Sequence, residues 1–500
     1  MKRRKIILLV LAAVFVIATV LYFAVIRPYV ENDDGEKLLP PETQEGESLG
    51  TSDRYQIFKQ ITRDQLQSIK VTNEHGTYEF YRDNNGEFQI RGHEGVAYDL
   101  ELFSELVVSA GYPLARLKVA NNSDRYEEYG LDDPICQWTI TDTAGTSRTL
   151  RVGHRLHTDD GYYIALDGRD AVYELSQSIK GSILAPIESF ISPVVMVACT
   201  QNDYYEINDL TILHGDEPFV SFALVDEKDK MNPDAIAEQR VVYPAAYTPN
   251  DTEVWETCLL MSGLYGESVV SLGAGDAEYE EYGLLDPAYT ISFVYKKNPY
   301  VIVISEKTPD GYYYASSNVN PTVISKVPAA TLDFLDFDLF KWVSPYVFGH
   351  YITQIREMSV HTDTRDLTFK LEHFDDGSSN GGLKVACSDG TDFSPENMTL
   401  NFRMFYRTLI SVEMQDYVPL TEAERKELTA NKDDSLFTFT YTTQAGKKTE
   451  ISFFQYTTRR CLVTINGEGE FYVLIDRVEK LVSDTEKLMT GVEIDSFAKD

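Results

Sequence analysis

The residues with the richest chemistry are acidic and aromatic, and they occur twice. "RYEEYGLDDP" begins at Arg125 and "EYEEYGLLDP" at Glu278, identical at eight of ten positions. Glu127–Glu128 and Glu280–Glu281 each place two carboxylates beside a tyrosine. Such a set suits a cation or a sugar, or the carboxylate pair of a glycosidase, which needs two carboxyl groups roughly 5–10 Å apart in a cleft. The same residue types also serve a helix stop. Tyr129 and Tyr282 close a helical turn, and Gly130 and Gly283 suit the left-handed position after it, where a Cβ is penalised. Leu131 and Leu284 supply the apolar contact back to that turn, and Pro134 and Pro287 end the helix and lead into a strand. The helix stop gives every residue type a use, so it is the reading adopted.

Other chemistry finds less support. In "GHRLHTDD", His154 and His157 are three apart and precede Asp159 and Asp160, but the duplicate has "ISEKTPDG" at that place. The segment is read as a solvated hairpin turn, and no metal site is assigned. The five cysteines (Cys136, Cys199, Cys258, Cys387, Cys461) are widely spaced and include no C-x-x-C, so they read as buried thiols. No G-x-S-x-G, H-E-x-x-H, P-loop or G-x-G-x-x-G is present. No cofactor and no catalytic residue is assigned, and the chain is read as non-catalytic. Trp138, Trp255 and Trp342 fall at non-equivalent places and read as core. "DDGYYIAL" and "PDGYYYAS" form a second repeated element, with Tyr163 and Tyr313 as candidate surface contacts for a sugar ring.

The elements that position these residues repeat with them. "LQSIKVTNEHGTYEFYRDNNGEFQI" alternates polar and apolar residues around two turn signals, a three-stranded antiparallel meander. "YDLELFSELVVSAG" has helical spacing with Asp99 as N-cap. "ELFSELVVSAG" at 101–111 answers "EVWETCLLMSG" at 253–263, and the glycine motif follows in both. A third copy is fainter. Its helix has Ser394 as N-cap and Pro395 at the first position, "LTEAERKEL" stands where the motif is expected, and Y-G-L and D-P are absent. The expected fold is α+β: three tandem related modules of antiparallel sheet plus helices at 61–196, 197–347 and 348–500.

Ahead of the modules, 1–5 carries four basic residues, 6–26 is an uncharged apolar run, and 27–60 is polar and acidic. The run is long enough for a ~30 Å hydrocarbon core and lacks the small-residue end of a cleavable signal. It is read as a transmembrane signal anchor with a cytoplasmic N-terminus, 27–60 as a flexible linker, and the body as extracytoplasmic. The whole chain has 79 acidic against 45 basic residues and five of the basic ones lie at or before Arg27, so the acidic body repels phosphate backbones and nucleic acid is not an expected partner.

The anchor, the Y-G-L-x-x-P elements at Tyr129–Pro134 and Tyr282–Pro287, and the "DGYY" strands resemble the bacterial domain-of-unknown-function family 4340. The resemblance implies a membrane-anchored extracytoplasmic protein in the company of gliding-type ABC transport auxiliary proteins. It implies no catalytic residues. The expected function is therefore a membrane-anchored binding or scaffold protein, accessory to an ABC-type transport complex. The alternative is a cell-envelope glycan-binding protein or a carboxylate-dependent glycan hydrolase.

Overall fold

The computed structural model describes residues 45–49, 54–121, 125–157, 160–176, 182–232, 234–377 and 381–495. The apolar run at 6–26, read as a membrane anchor, lies outside these residues. Among the described residues no helix is long and apolar enough to cross a membrane.

The chain forms three antiparallel sheets of eight strands, each in a module of the same order. In the first module these are β1 (Leu66–Asn73), β2 (Gly76–Arg82), β3 (Phe88–Ile90), β4 (Leu117–Ala120), β5 (Cys136–Asp142), β6 (Ser147–Arg155), β7 (Gly161–Leu166) and β8 (Val172–Ser176). In the second they are β9 (Asn208–His214), β10 (Glu217–Leu224), β11 (Gln239–Tyr243), β12 (Ser268–Leu272), β13 (Tyr289–Tyr295), β14 (Asn298–Ile304), β15 (Tyr312–Ser317) and β16 (Val323–Pro328). In the third they are β17 (Ile355–His361), β18 (Asp366–Phe374), β19 (Gly382–Cys387), β20 (Asp416–Tyr417), β21 (Phe437–Thr443), β22 (Lys448–Gln455), β23 (Arg460–Ile465) and β24 (Phe471–Leu474). The first sheet runs β3-β2-β1-β5-β6-β7-β8-β4, and the other two repeat that order strand for strand. The third module keeps the topology although it lacks the glycine motif, because pairing depends on alternation along each strand and not on the stop between helix and sheet.

Each module inserts a helix between its third and fourth strands: α1 (Leu100–Gly111), α2 (Asp251–Ser262) and α4 (Glu396–Ile410). A shorter helical segment lies between the fourth and fifth strands. It is the turn Tyr126–Tyr129 in the first module, α3 (Asp276–Glu281) in the second and α5 (Glu422–Leu428) in the third, and α6 (Ile475–Thr490) closes the chain. Asp99 caps α1 as its sequence predicts, accepting from the Glu101 and Leu102 amides at 2.9 Å. Phe103, Leu106, Val107 and Ala110 form the buried stripe of α1, which lies against β1 and β5. In α4 the expected start shifts by one residue. Pro395 occupies the N-cap and Ser394 precedes it, donating its amide to Asp392 at 2.8 Å.

Contacts divide the chain into two compact units, before and after the Phe190–Ile191 step. The first unit is the first module together with residues from the segment ahead of it. Ser48–Leu49 pairs with Tyr55–Gln56, which pairs with Leu114–Ala115. Glu47, fully buried, forms an ion pair with Lys118 at 2.6 Å and accepts from the Tyr173 hydroxyl. Arg169 adds a bond to the Glu45 carbonyl at 2.6 Å. This end of the segment expected as a linker is thus pinned to the module, since a buried carboxylate must keep its cationic partner.

The second unit joins the second and third modules, and Val194–Val197 belongs to it through pairing with Gly263–Tyr265. One continuous apolar core runs from Val195 to Ile494. Across the seam, Tyr247 packs at a tilt on Phe471 at 5.1 Å and its hydroxyl accepts the Glu470 amide at 3.0 Å. The Tyr417 hydroxyl accepts the Leu339 amide at 2.7 Å.

Candidate functional site

The two glycine motifs fold the same way. In the first, the Leu131 amide bonds to the Tyr126 carbonyl at 3.0 Å and the Gly130 amide to that of Glu127 at 3.1 Å. In the second, Leu284 bonds to Tyr279 at 2.7 Å and Gly283 to Glu280 at 3.2 Å. These are the two bonds of a Schellman stop, with Gly130 and Gly283 at φ 67° and 69°. Leu131 and Leu284 are buried behind them. In the third module α5 ends without a glycine, its last carbonyls taken by the Thr429 and Ala430 amides.

The stop docks on the sheet. A bulge in β6 leaves Gly153 and His154 opposite Tyr163. A Cβ on Gly153 would stand 2.0 Å from the Tyr129 carbonyl oxygen, and one on Gly130 would stand 2.4 Å from the His154 ring. His154 therefore packs on the glycine motif. Among the described residues no three His, Cys, Asp or Glu side chains gather as a metal-ligand set.

Ring contacts correct the alignment of the tyrosine strands. Tyr129 packs on Tyr163 at 4.9 Å, and Tyr282 packs on Tyr314, not on Tyr313, at 4.7 Å. Tyr163 pairs with Glu174, and Tyr314 pairs with Lys326 at the matching place in the second sheet. The "DGYY" strings align by eye one residue out of structural register, and a slip of one residue exchanges the faces of a strand. Tyr313 is 1% exposed and lies edge-on to Tyr289 at 6.1 Å. It offers no surface to a sugar.

Glu127, Glu128, Glu280 and Glu281 are exposed on the outer side of their turns. Glu128 bonds to Arg125 at 2.5 Å, which holds its carboxyl below the usual range. All five cysteines are free thiols. Burial pushes Cys136, Cys258 and Cys461 up to about 12, which leaves them protonated and unreactive at neutral pH.

The densest set of perturbed polar groups sits elsewhere, in the seam of the second unit. A cavity of about 40 Å³ is lined by Asp229, Glu238, Gln239 and Arg240 of the second module, by His350, and by Lys447, the residue just before β22 in the third. Glu238 is occupied with the Met231 and Asn232 amides at 2.8 and 3.0 Å. Gln239 is fully buried and donates to the Ile207 carbonyl at 2.7 Å, while its Oε1 has no partner among the described residues. The same holds for Asp229 Oδ1 and His350 Nδ1. His350 packs against Phe348 at 5.7 Å and Tyr441 at 5.1 Å, two rings that also touch each other at 4.7 Å. Burial brings the imidazole down to about 4, and the charges of Lys447 and Arg240 push the same way. Burial brings Lys447 down to about 8, with Arg240 lowering it further and Asp229 opposing. Nothing local in "EQRVVY" or "AGKKTE" marks Arg240 or Lys447, because the partners that give them meaning come from different modules.

The His350 imidazole yields a prediction. Its folded value near 4 lies below the unfolded value near 6.5, so within that window the unfolded chain holds the extra proton. Stability is full above pH 6.5 and falls as pH drops toward 4, by about 3 kcal/mol at full effect. Arg240, Lys447, Asp229, Glu238, Tyr247 and Tyr441 are the charged or titratable groups lining the same cavity. His350→Phe removes this component. Urea midpoints at pH 7 and pH 5 should converge in the variant relative to the parent, and an unchanged pH difference would refute the assignment.

Comparison with known proteins comes to one result. Residues 112–245 and 240–433 match the family model described as a domain of unknown function, DUF4340. Together the matches cover more than half of the chain, each contains one glycine motif, and the second reaches α5 of the third module. No curated protein and no solved structure matches.

Proposed function

The chain belongs to the DUF4340 family, and from that premise we propose that it is a membrane-anchored, extracytoplasmic binding or scaffold protein, non-catalytic and accessory to an ABC-type transport complex. The observation that carries this reading is the use made of the repeated motif. Its eight residues (Tyr129, Gly130, Leu131, Pro134 and Tyr282, Gly283, Leu284, Pro287) are spent on stopping a helix and seating it on a sheet, in a module present three times. A catalytic site has no need to recur in this way, whereas a scaffold gains surface with each copy. The anchor is supported by the charge asymmetry around Ile6–Ile26, with four basic residues before it and Arg27 after.

The test is retrieval of partners. Full-length protein tagged at the C-terminus and extracted from native membranes in mild detergent should bring down transporter subunits in fixed ratio. Recovery of the chain alone from cross-linked membranes would sink the scaffold reading.

A further inference from the structure

Arg240 and Lys447 are two cations that line one cavity in a chain with 79 acidic and 45 basic residues. Yet among the described residues neither of these side chains has an ion-pair or hydrogen-bond partner. Both are half-buried, and each raises the electrostatic free energy of the other. They come from different modules and meet in the same cavity. Two further features of that cavity point to an occupant. Asp229 Oδ1 and Gln239 Oε1 are acceptors left without donors, Gln239 on a side chain with no exposure at all. Orphaned acceptors beside unpaired cations call for a group that is anionic and also carries a donor.

We propose that the cavity between the second and third modules is a binding site for inorganic hydrogen phosphate, held by Arg240 and Lys447 through its charged oxygens, with Asp229 and Gln239 supplying acceptors for its O–H. Guanidinium and ammonium supply the charge-assisted bonds such an anion takes. His350 stays neutral beside them, so the site has two cations, set against the Asp229 and Glu238 carboxylates, of which Glu238 already accepts two backbone amides. A buried water needs roughly 10–15 Å³ on this scale, so 40 Å³ admits a group of a few heavy atoms and excludes a whole sugar or nucleotide. Sulfate has the charge but no O–H at neutral pH, a phosphate monoester with its second pKa at about 6 has largely lost its own, and a carboxylate has no donor either. The proposal does not depend on the scaffold reading, and either can fail alone.

Isothermal titration calorimetry on the full-length protein in mild detergent tests it, with inorganic phosphate, glycerol 3-phosphate and sulfate as titrants. Inorganic phosphate should bind at least tenfold more tightly than either sulfate or glycerol 3-phosphate, and glycerol 3-phosphate binding as tightly as phosphate would show that the O–H is not what the site reads. Arg240→Gln and Lys447→Gln should each weaken binding at least tenfold, while Lys447→Arg keeps it within about threefold. At pH 8.5, where the empty site holds Lys447 largely deprotonated, binding should take up protons, seen as heat that changes with buffer ionisation enthalpy. Thermal midpoints without phosphate should be unchanged or raised in the two Gln variants, since removal of either charge relieves repulsion. Absence of phosphate heat in the parent, equal binding of sulfate, or undiminished binding in folded Lys447→Gln would each overturn the proposal.

Discussion

Gly153→Ala is expected to dislodge the first glycine motif from its sheet. The added methyl would lie 2.0 Å from the Tyr129 carbonyl oxygen and 3.0 Å from the Gly130 carbonyl carbon, both backbone atoms that no rotamer change can move. Relief requires the whole Schellman turn to lift off β6, taking with it Leu131 from its contact with Ala165 and Val172 and Tyr129 from Tyr163. Overpacking of this kind costs roughly 3 kcal/mol or more when the neighbours are rigid. Gly130→Ala provides the comparison. It meets the φ of 67°, which costs about 1–2 kcal/mol, and a His154 ring that can rotate away. In the second module Ser305 occupies the place of Gly153 and already bears a side chain, and a Cβ on Gly283 would stand an ordinary 3.7 Å from the Ser305 Cβ. Hydrogen exchange is the measurement. Protection along β5 and β6 should collapse in Gly153→Ala while β9–β24 keep theirs, and full protection in both regions would show that the docking geometry is wrong.

Trp342→Ala is expected to be comparably severe in the second unit. The indole is fully buried against Phe222 at 5.5 Å, Phe337 at 5.8 Å and Phe334 at 6.0 Å. Its carbonyl accepts the amide of Asn250, the residue that caps α2, at 2.9 Å. Loss of an aromatic side chain from such a setting costs about 3–5 kcal/mol, the transfer contribution plus an unfilled cavity. The indole Nε1 has no partner among the described residues. Trp342→Phe therefore removes an unsatisfied donor as well as some volume, and should cost less than about 1.5 kcal/mol. Urea midpoints for the two variants should separate widely. If Trp342→Ala lies within about 1 kcal/mol of Trp342→Phe, packing is not what the ring contributes.

Much of this architecture was readable locally. Alternation around "EHG" and "DNNG" marks β1 to β3 because side chains on a strand change face at every residue. Asp99 before an apolar periodic run marks the start of α1, and Y-G-L marks a helix stop, because capping is settled within six residues. The duplication follows from comparing such local signs in order. The α+β class needs nothing more.

Tertiary structure decided the rest. Only the sheet reveals that Tyr163 answers to Tyr314 and leaves Tyr313 in the core, since register is set by cross-strand bonds and by a bulge in β6 that leaves no mark in "DGYY". Only the fold shows that a third module without the motif keeps the same strand order. Only the seam between the second and third modules brings Arg240 to Lys447 and His350, because electrostatic partnership depends on distance in space and carries no period along the chain. The amino-acid sequence by itself determined the modules and their joints. Their shared core and the charges that meet beside it were decided where residues remote in sequence came into contact.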